Sequence, residues 1–196
     1  MIKDIGYLIN HNNCYLLENI ISLYQNIVIE IGSGNGEYIV NLASKKRDYL
    51  FLGIELKFKR IFKSLKKINR ADIDNIILVK GEASTIIDFF IEDNSIDFFI
   101  INFPDPWFKI KHNSRRLINL SFYHLLYQKL KNKGKVFIAT DDLNYSNVIL
   151  DDAKSSRLFK NVDFCDKWLD VENYTLYEKK FLNEGKNISY LELTKY

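Results

Sequence analysis

The sequence predicts a doubly wound α/β fold: a mostly parallel sheet covered on both faces, with an antiparallel strand near its C-terminal end. Three observations predict it. Short β-rich runs alternate with amphipathic stretches along most of the chain. A glycine-rich turn, "IGSGNGE", follows the run "NIVIEI" at 26–31. A second turn, "NFPDPWF" at 102–108, follows the run "IDFFIIN" and holds both prolines of the 196-residue chain. Each turn sits where a parallel strand ends, the edge at which open α/β sheets bind ligands.

The elements follow in order. Residues 1–24 read as a short N-terminal helical segment, and 1–196 as a single domain. "NIVIEI" is a buried strand, "EYIVNLASK" at 37–45 a helix, and "YLFLGIE" at 49–55 the next strand. Over 56–69, Leu56, Phe58, Ile61, Phe62, Leu65 and Ile68 recur at helical spacing. A strand at 75–81, a helix at 83–91 and a strand at 96–102 come next. Residues 115–131 read as a helix, "GKVFIAT" at 134–140 as a strand, and 143–154 as a helix. The tail offers a strand near 158–164, a polar stretch, and the alternating strand "NISYLELTK" at 187–195.

Composition narrows the function classes. With 47% hydrophobic residues, 14 Phe and 12 Tyr, the chain has ample material for a core, which excludes a disordered protein. A net charge of +3 excludes a bulk polycation, so any nucleic-acid surface must come from local clustering. Cys14 and Cys165 match no metal or redox spacing and read as thiols of a reducing compartment, placing the protein in the cytoplasm. His11, His112 and His124 show no ligand spacing, so no metal is expected. The opening "MIKDIGYLIN" carries no long apolar segment, and neither a signal peptide nor a membrane span is expected.

Gly32, Gly34 and Gly36 let the chain turn sharply and let a ligand come close at a helix N-terminus. A dinucleotide fingerprint would carry its third glycine at position 37, which is Glu37. Glu30 precedes the loop by two residues, Glu55 ends the next strand, and Glu82 follows the one after. Three acids on one sheet edge repel a pyrophosphate and attract a cation. They suit a ligand with a sulfonium, an ammonium, a ribose and no phosphate, which is S-adenosylmethionine. The competing reading makes these acids solvated loop residues and the glycines plain turns.

In "NFPDPWFKIKHNSRR" each proline fixes its own φ and biases the preceding residue, Phe103 or Asp105, toward extended geometry. The stiff loop aims Asp105. Trp107 offers a face for a base, and Lys109, Lys111, Arg115 and Arg116 can meet phosphates. The competing reading is a surface turn with a solvated charge run. Seven further cations, Lys57 to Arg70, line the helix at 57–70, where a solvated face explains them as well as RNA contact does.

With these motifs in place, the chain resembles the bacterial-type tRNA (guanine-N7)-methyltransferases from about Gln25 to Lys195. "NFPDPWFKIKH…RR" looks like that family's FPDPW block and its basic residues, and "EIGSGNG" is similar to its cofactor loop. "ATDD" at 139–142 and "TLYEKKFLNEGKNISYLELTK" at 175–195 resemble its later motifs. The resemblance implies a Rossmann-like, S-adenosylmethionine-dependent methyltransferase of class I. It implies Glu30, Gly32, Gly34, Gly36, Glu55, Glu82, Asn102 and Asp105 around the cofactor, with Asp105 at the catalytic centre. It also implies Lys109, Asp141, Thr175 and Glu178 at the substrate, a guanine of the tRNA variable loop. Phe108 and Ile110 depart from the prolines, histidines or basic residues usual there, and Leu176 stands where a lysine is frequent. tRNA is then the expected partner, with no membrane and no metal, for a monomer or a homodimer.

Guanine N7 carries an exposed lone pair and needs no deprotonation, so no catalytic base is required. Asp105 either accepts from the guanine Watson–Crick edge or stabilises the developing positive charge; Lys109 either holds a phosphate or donates to the guanine O6. Two alternatives stay open: methyl transfer to another substrate, and a non-catalytic RNA-binding module of the same fold.

Overall fold

The computed structural model describes residues 8–9, 20–106, 116–165 and 175–196. Its elements in chain order are β1 (Leu8–Ile9), β2 (Asn26–Ile31), α1 (Glu37–Lys45), β3 (Tyr49–Glu55), α2 (Phe58–Ala71), β4 (Ile76–Lys80), α3 (Ala83–Phe90) and β5 (Ile96–Asn102). There follow α4 (Leu120–Lys129), β6 (Leu130–Thr140), α5 (Leu143–Ser156), β7 (Phe159–Phe164), α6 (Leu176–Asn183) and β8 (Ser189–Lys195).

The eight strands form one sheet in the order β1-β4-β3-β2-β5-β6-β8-β7. Every pairing from β1 across to β6 is parallel, and β8 runs antiparallel to both of its neighbours. The strands are apolar on both faces because both are covered. Ile27, Ile29 and Ile31 of β2 join a core with Ile87 of α3, Phe122 of α4 and Ile149 of α5. Val28 of β2 faces the other way, into a core with Ile39 of α1 and Ile61 and Ile68 of α2. Alternation along each strand therefore puts Glu30, Glu55 and Asn102 on the α1/α2 face of the sheet.

Sheet order reverses between β2 and β5. The chain builds outward through β3 and β4, then returns to start the other half at β5. The carboxyl ends of β2 and β5 thus flank the topological switch point, where loops diverge to opposite faces and leave a crevice.

Four local expectations are corrected. Leu8–Ile9, within the segment expected to be helical, form a short strand paired with β4; of the other residues in that segment, 1–7 and 10–19 lie outside those described. The polar stretch of the tail contains α6, which buries only Glu178 of its own residues. Its exposed apolar residues hid the helical period. The strand expected at 134–140 begins at Leu130, directly where α4 ends, with a register shift opposite Ile96 and Phe98. The apolar stripe of α2 is narrower than its spacing suggested: Ile61 and Ile68 are buried, while Leu56, Phe58 and Phe62 are more than half exposed. Among the described residues no helix is long and apolar enough to cross a membrane, and no three His, Cys, Asp or Glu side chains cluster as metal ligands.

Candidate active site

The glycine loop follows β2 and is clamped from two sides. The N–H groups of Gly32 and Ser33 donate to the Ile54 carbonyl at 2.8 and 3.1 Å, tying the turn to β3. Glu55 accepts from the Gly34 N–H at 3.0 Å and from the Lys57 N–H at 2.9 Å, and Arg60 stands 3.5 Å from it. The Ser64 hydroxyl of α2 donates to the Gly34 carbonyl at 3.1 Å. All three glycines have positive φ, between 59° and 78°. At Gly36 a Cβ would also lie 2.7 Å from the Ser64 Cβ, so glycine there serves close helix packing as well as the turn.

Glu30 sits in the middle of the sheet, paired between Gly53 of β3 and Ile100 of β5, and is 3% exposed. Its Oε1 accepts from the Asn102 side-chain amide at 3.1 Å, a bond across the switch point. Its Oε2 is buried with no hydrogen-bond partner. Burial pushes the Glu30 carboxyl up to about 8; the Asn102 bond and the Ile39 N–H at the start of α1 work against this, and the nearby Glu37 and Glu55 charges add to it. An unpaired oxygen on a fully buried acid is costly unless a partner arrives.

Glu82 has a different local duty. It is the N-cap of α3, accepting from the Ser84 and Thr85 N–H groups and from both hydroxyls. Burial raises its carboxyl, but these bonds outweigh the burial and hold it below the usual range. It stands at the same edge of the sheet as Glu30 and Glu55.

Across the switch point, β5 ends in the proline turn. The Phe103 N–H donates to the Ala139 carbonyl of β6 at 2.7 Å. Phe103 takes φ 52°, left-handed rather than the extended geometry expected before a proline. Such a conformation costs about 1–3 kcal/mol and needs support from its surroundings. The support is aromatic: the Phe103 ring lies 5.4 Å from Phe181 and 6.2 Å from Tyr177, both on α6. Asp105 is exposed between the two prolines. Arg116 donates from Nε to the Pro106 carbonyl at 2.9 Å.

The tail residues form a tight cluster. Thr175 and Glu178 make a reciprocal capping box at the start of α6, with bonds of 2.9 and 3.1 Å. The Tyr190 hydroxyl of β8 donates to the other Glu178 oxygen. Asp141, just past β6, pairs with Lys186 at 2.8 Å. Thus Glu30, Asn102, Glu55 and the glycine loop converge, and Phe103 joins the proline turn to α6. Trp107, Phe108, Lys109, Ile110, Lys111, His112 and Arg115 lie outside the described residues. Sequence reasoning missed the Phe103–α6 contact, which no spacing reveals, and the capping box, which the T-x-x-E pattern at 175–178 does signal.

A doubly wound sheet of this strand order is an architecture shared with methyltransferases of known structure. An antibiotic-related methyltransferase of known structure superposes with a TM-score of 0.66 over 92% of both chains, at 19% identity. The family described as "Putative methyltransferase" matches residues 24–191. A tRNA (guanine-N(7)-)-methyltransferase of Wolbachia pipientis wMel is 34% identical over 91% of this chain and 79% of its own length. One from Thermotoga maritima is 37% identical over 82% of this chain, which spans 51% of that relative. The chain belongs to the tRNA (guanine-N(7)-)-methyltransferase family.

Proposed function

We propose that the protein transfers a methyl group from S-adenosylmethionine to N7 of a guanine in the tRNA variable loop, in the cytoplasm and from one domain spanning 1–196. The observation that carries this reading is the buried, unpaired Glu30 oxygen at the crevice between β2 and β5. A cationic donor fits it, and the rim's acids disfavour a phosphate-bearing cofactor.

S-adenosylmethionine, when bound, supplies a methyl group on a positively charged sulfur, open to in-line attack. Glu30 holds the donor's cationic end, and the Gly32–Gly36 turn gives its backbone close approach. Glu55 and Glu82 take the ribose and adenine side, each by sharing oxygens now bonded within the chain. Asn102 orients Glu30. The guanine N7 lone pair forms the new N–C bond as the methyl–sulfur pair returns to sulfur, so positive charge passes to the purine. Asp105, aimed by Pro104 and Pro106, faces that charge and stabilises it. Lys109 and Asp141 hold the nucleotide, and Thr175 and Glu178 do so only by sharing oxygens now bonded within the capping box. A-form RNA hides N7 in its deep groove, so the target is a nucleotide splayed from its stack.

Incubation with unmodified tRNA and S-adenosylmethionine, followed by mapping of 7-methylguanine, tests the reading. The expected product is one such base in the variable loop. Cofactor binding without any methylated tRNA would remove it.

A further inference from the structure

Arg116 comes at the end of a basic run, where a phosphate contact is the obvious role. Its surroundings argue otherwise. Nε donates to the carbonyl of Pro106, the residue directly after Asp105, at 2.9 Å. The guanidinium carbon lies 5.1 Å from the centroid of the Tyr145 ring, within cation–π range. Tyr145 is only 3% exposed, in the first turn of α5. That turn is fixed in its own right, because the Asp142 carboxylate caps α5 by accepting from the Tyr145 N–H at 2.8 Å. Burial pushes the Tyr145 phenol up to about 12; the Arg116 charge opposes this, and the Asp152 charge and, less, the Asp105 charge add to it.

The turn is therefore held at both ends. Phe103 anchors its start to β6 and α6, and Arg116 anchors its finish to α5. Two prolines stiffen the peptide between these anchors, but they do not fix where the stiff unit points.

We propose that Arg116 is a positioning residue: it fixes the Pro104–Pro106 turn, and with it the Asp105 carboxylate, against α5, and is not one of the cations that meet tRNA phosphate. The proposal rests on the reading that Asp105 acts at the reacting centre. A planar, always-charged fork with a directed N–H suits the task, and a lysine does not reproduce it.

The test compares Arg116→Lys, Arg116→Ala and Asp105→Ala by steady-state methyl transfer to unmodified tRNA, with tRNA binding measured at several salt concentrations. Both Arg116 variants are expected to lose roughly ten- to a hundredfold in kcat, the size of effect a misplacement of about 1 Å produces. KM and Kd for tRNA should stay near the wild-type values, with the salt slope of binding unchanged. Restoration of kcat by the lysine would overturn the proposal. So would a raised KM with the salt slope reduced by about one, the mark of a lost phosphate contact. A lowered melting temperature with wild-type kcat would make Arg116 merely structural and overturn it equally. Wild-type turnover by Asp105→Ala would instead fell the reading of the site, and the proposal with it.

Discussion

The two sides of the switch point are built in opposite ways. On the β2 side, the turn and its clamps come from residues 30–67, a short span in which each loop is fixed by the elements next to it. On the β5 side, the proline turn is held by Ala139, Arg116, Tyr177 and Phe181, from three separate later segments. The first side buries its acid, with Glu30 at 3% exposure, while the second presents Asp105 to solvent. Under the proposed function, a donor that must be enclosed and a large acceptor that must approach from outside account for this difference.

The comparison breaks most sharply at Asp105. Asp105→Ala is expected to lower kcat by about a hundred- to a thousandfold, the usual cost of removing a preorganised electrostatic partner, while calorimetry still reports cofactor binding. Equal loss of binding and turnover would mean that the two sides are not separate. Glu30→Gln should act in the reverse sense. It should weaken S-adenosylmethionine about ten- to a hundredfold by calorimetry, as loss of a charged hydrogen-bond partner does, and spare tRNA affinity.

The same variant sharpens the contrast through pH. Glu30 titrates near 8 in the fold against an ordinary 4.5. Between those values the folded chain holds the proton more tightly than the unfolded chain. The stability of the ligand-free protein should therefore fall as pH rises through the window. Thermal melts across pH should show that decline in the wild type and a flatter profile in Glu30→Gln.

Two smaller effects probe the local clamps. Gly36→Ala adds a Cβ 2.7 Å from Ser64 at a residue with φ 78°, and should destabilise by about 1–3 kcal/mol in urea melts. Glu82→Ala removes the cap of α3 and should cost about 0.5–2 kcal/mol. An unchanged melt for the latter would mean that the cap adds nothing to the stability of the fold.

This contrast also decided what the sequence could reveal. Strands β2 to β6 were legible because burial on both faces writes them as continuous apolar runs. The glycine loop was legible because positive φ leaves its mark as glycine at 32, 34 and 36. Helix α6 was not, since it turns Leu176, Tyr177 and Leu182 outward and buries a glutamate. At Phe103 the local preference for extended geometry before a proline is overridden by packing against α6. At Glu82 the chain shows an acid on the rim, but only coordinates show how many of its lone pairs α3 already takes.

Strand β8 lies between β6 and β7, although it comes after both in the chain. As the polypeptide leaves the ribosome, β6 must wait with a bare edge and β7 has no neighbour to join. Zipping in β8 satisfies two ladders at once, so that wall of the sheet is expected to close late and in one step, which pulsed hydrogen exchange on β7 and β8 amides during refolding would check.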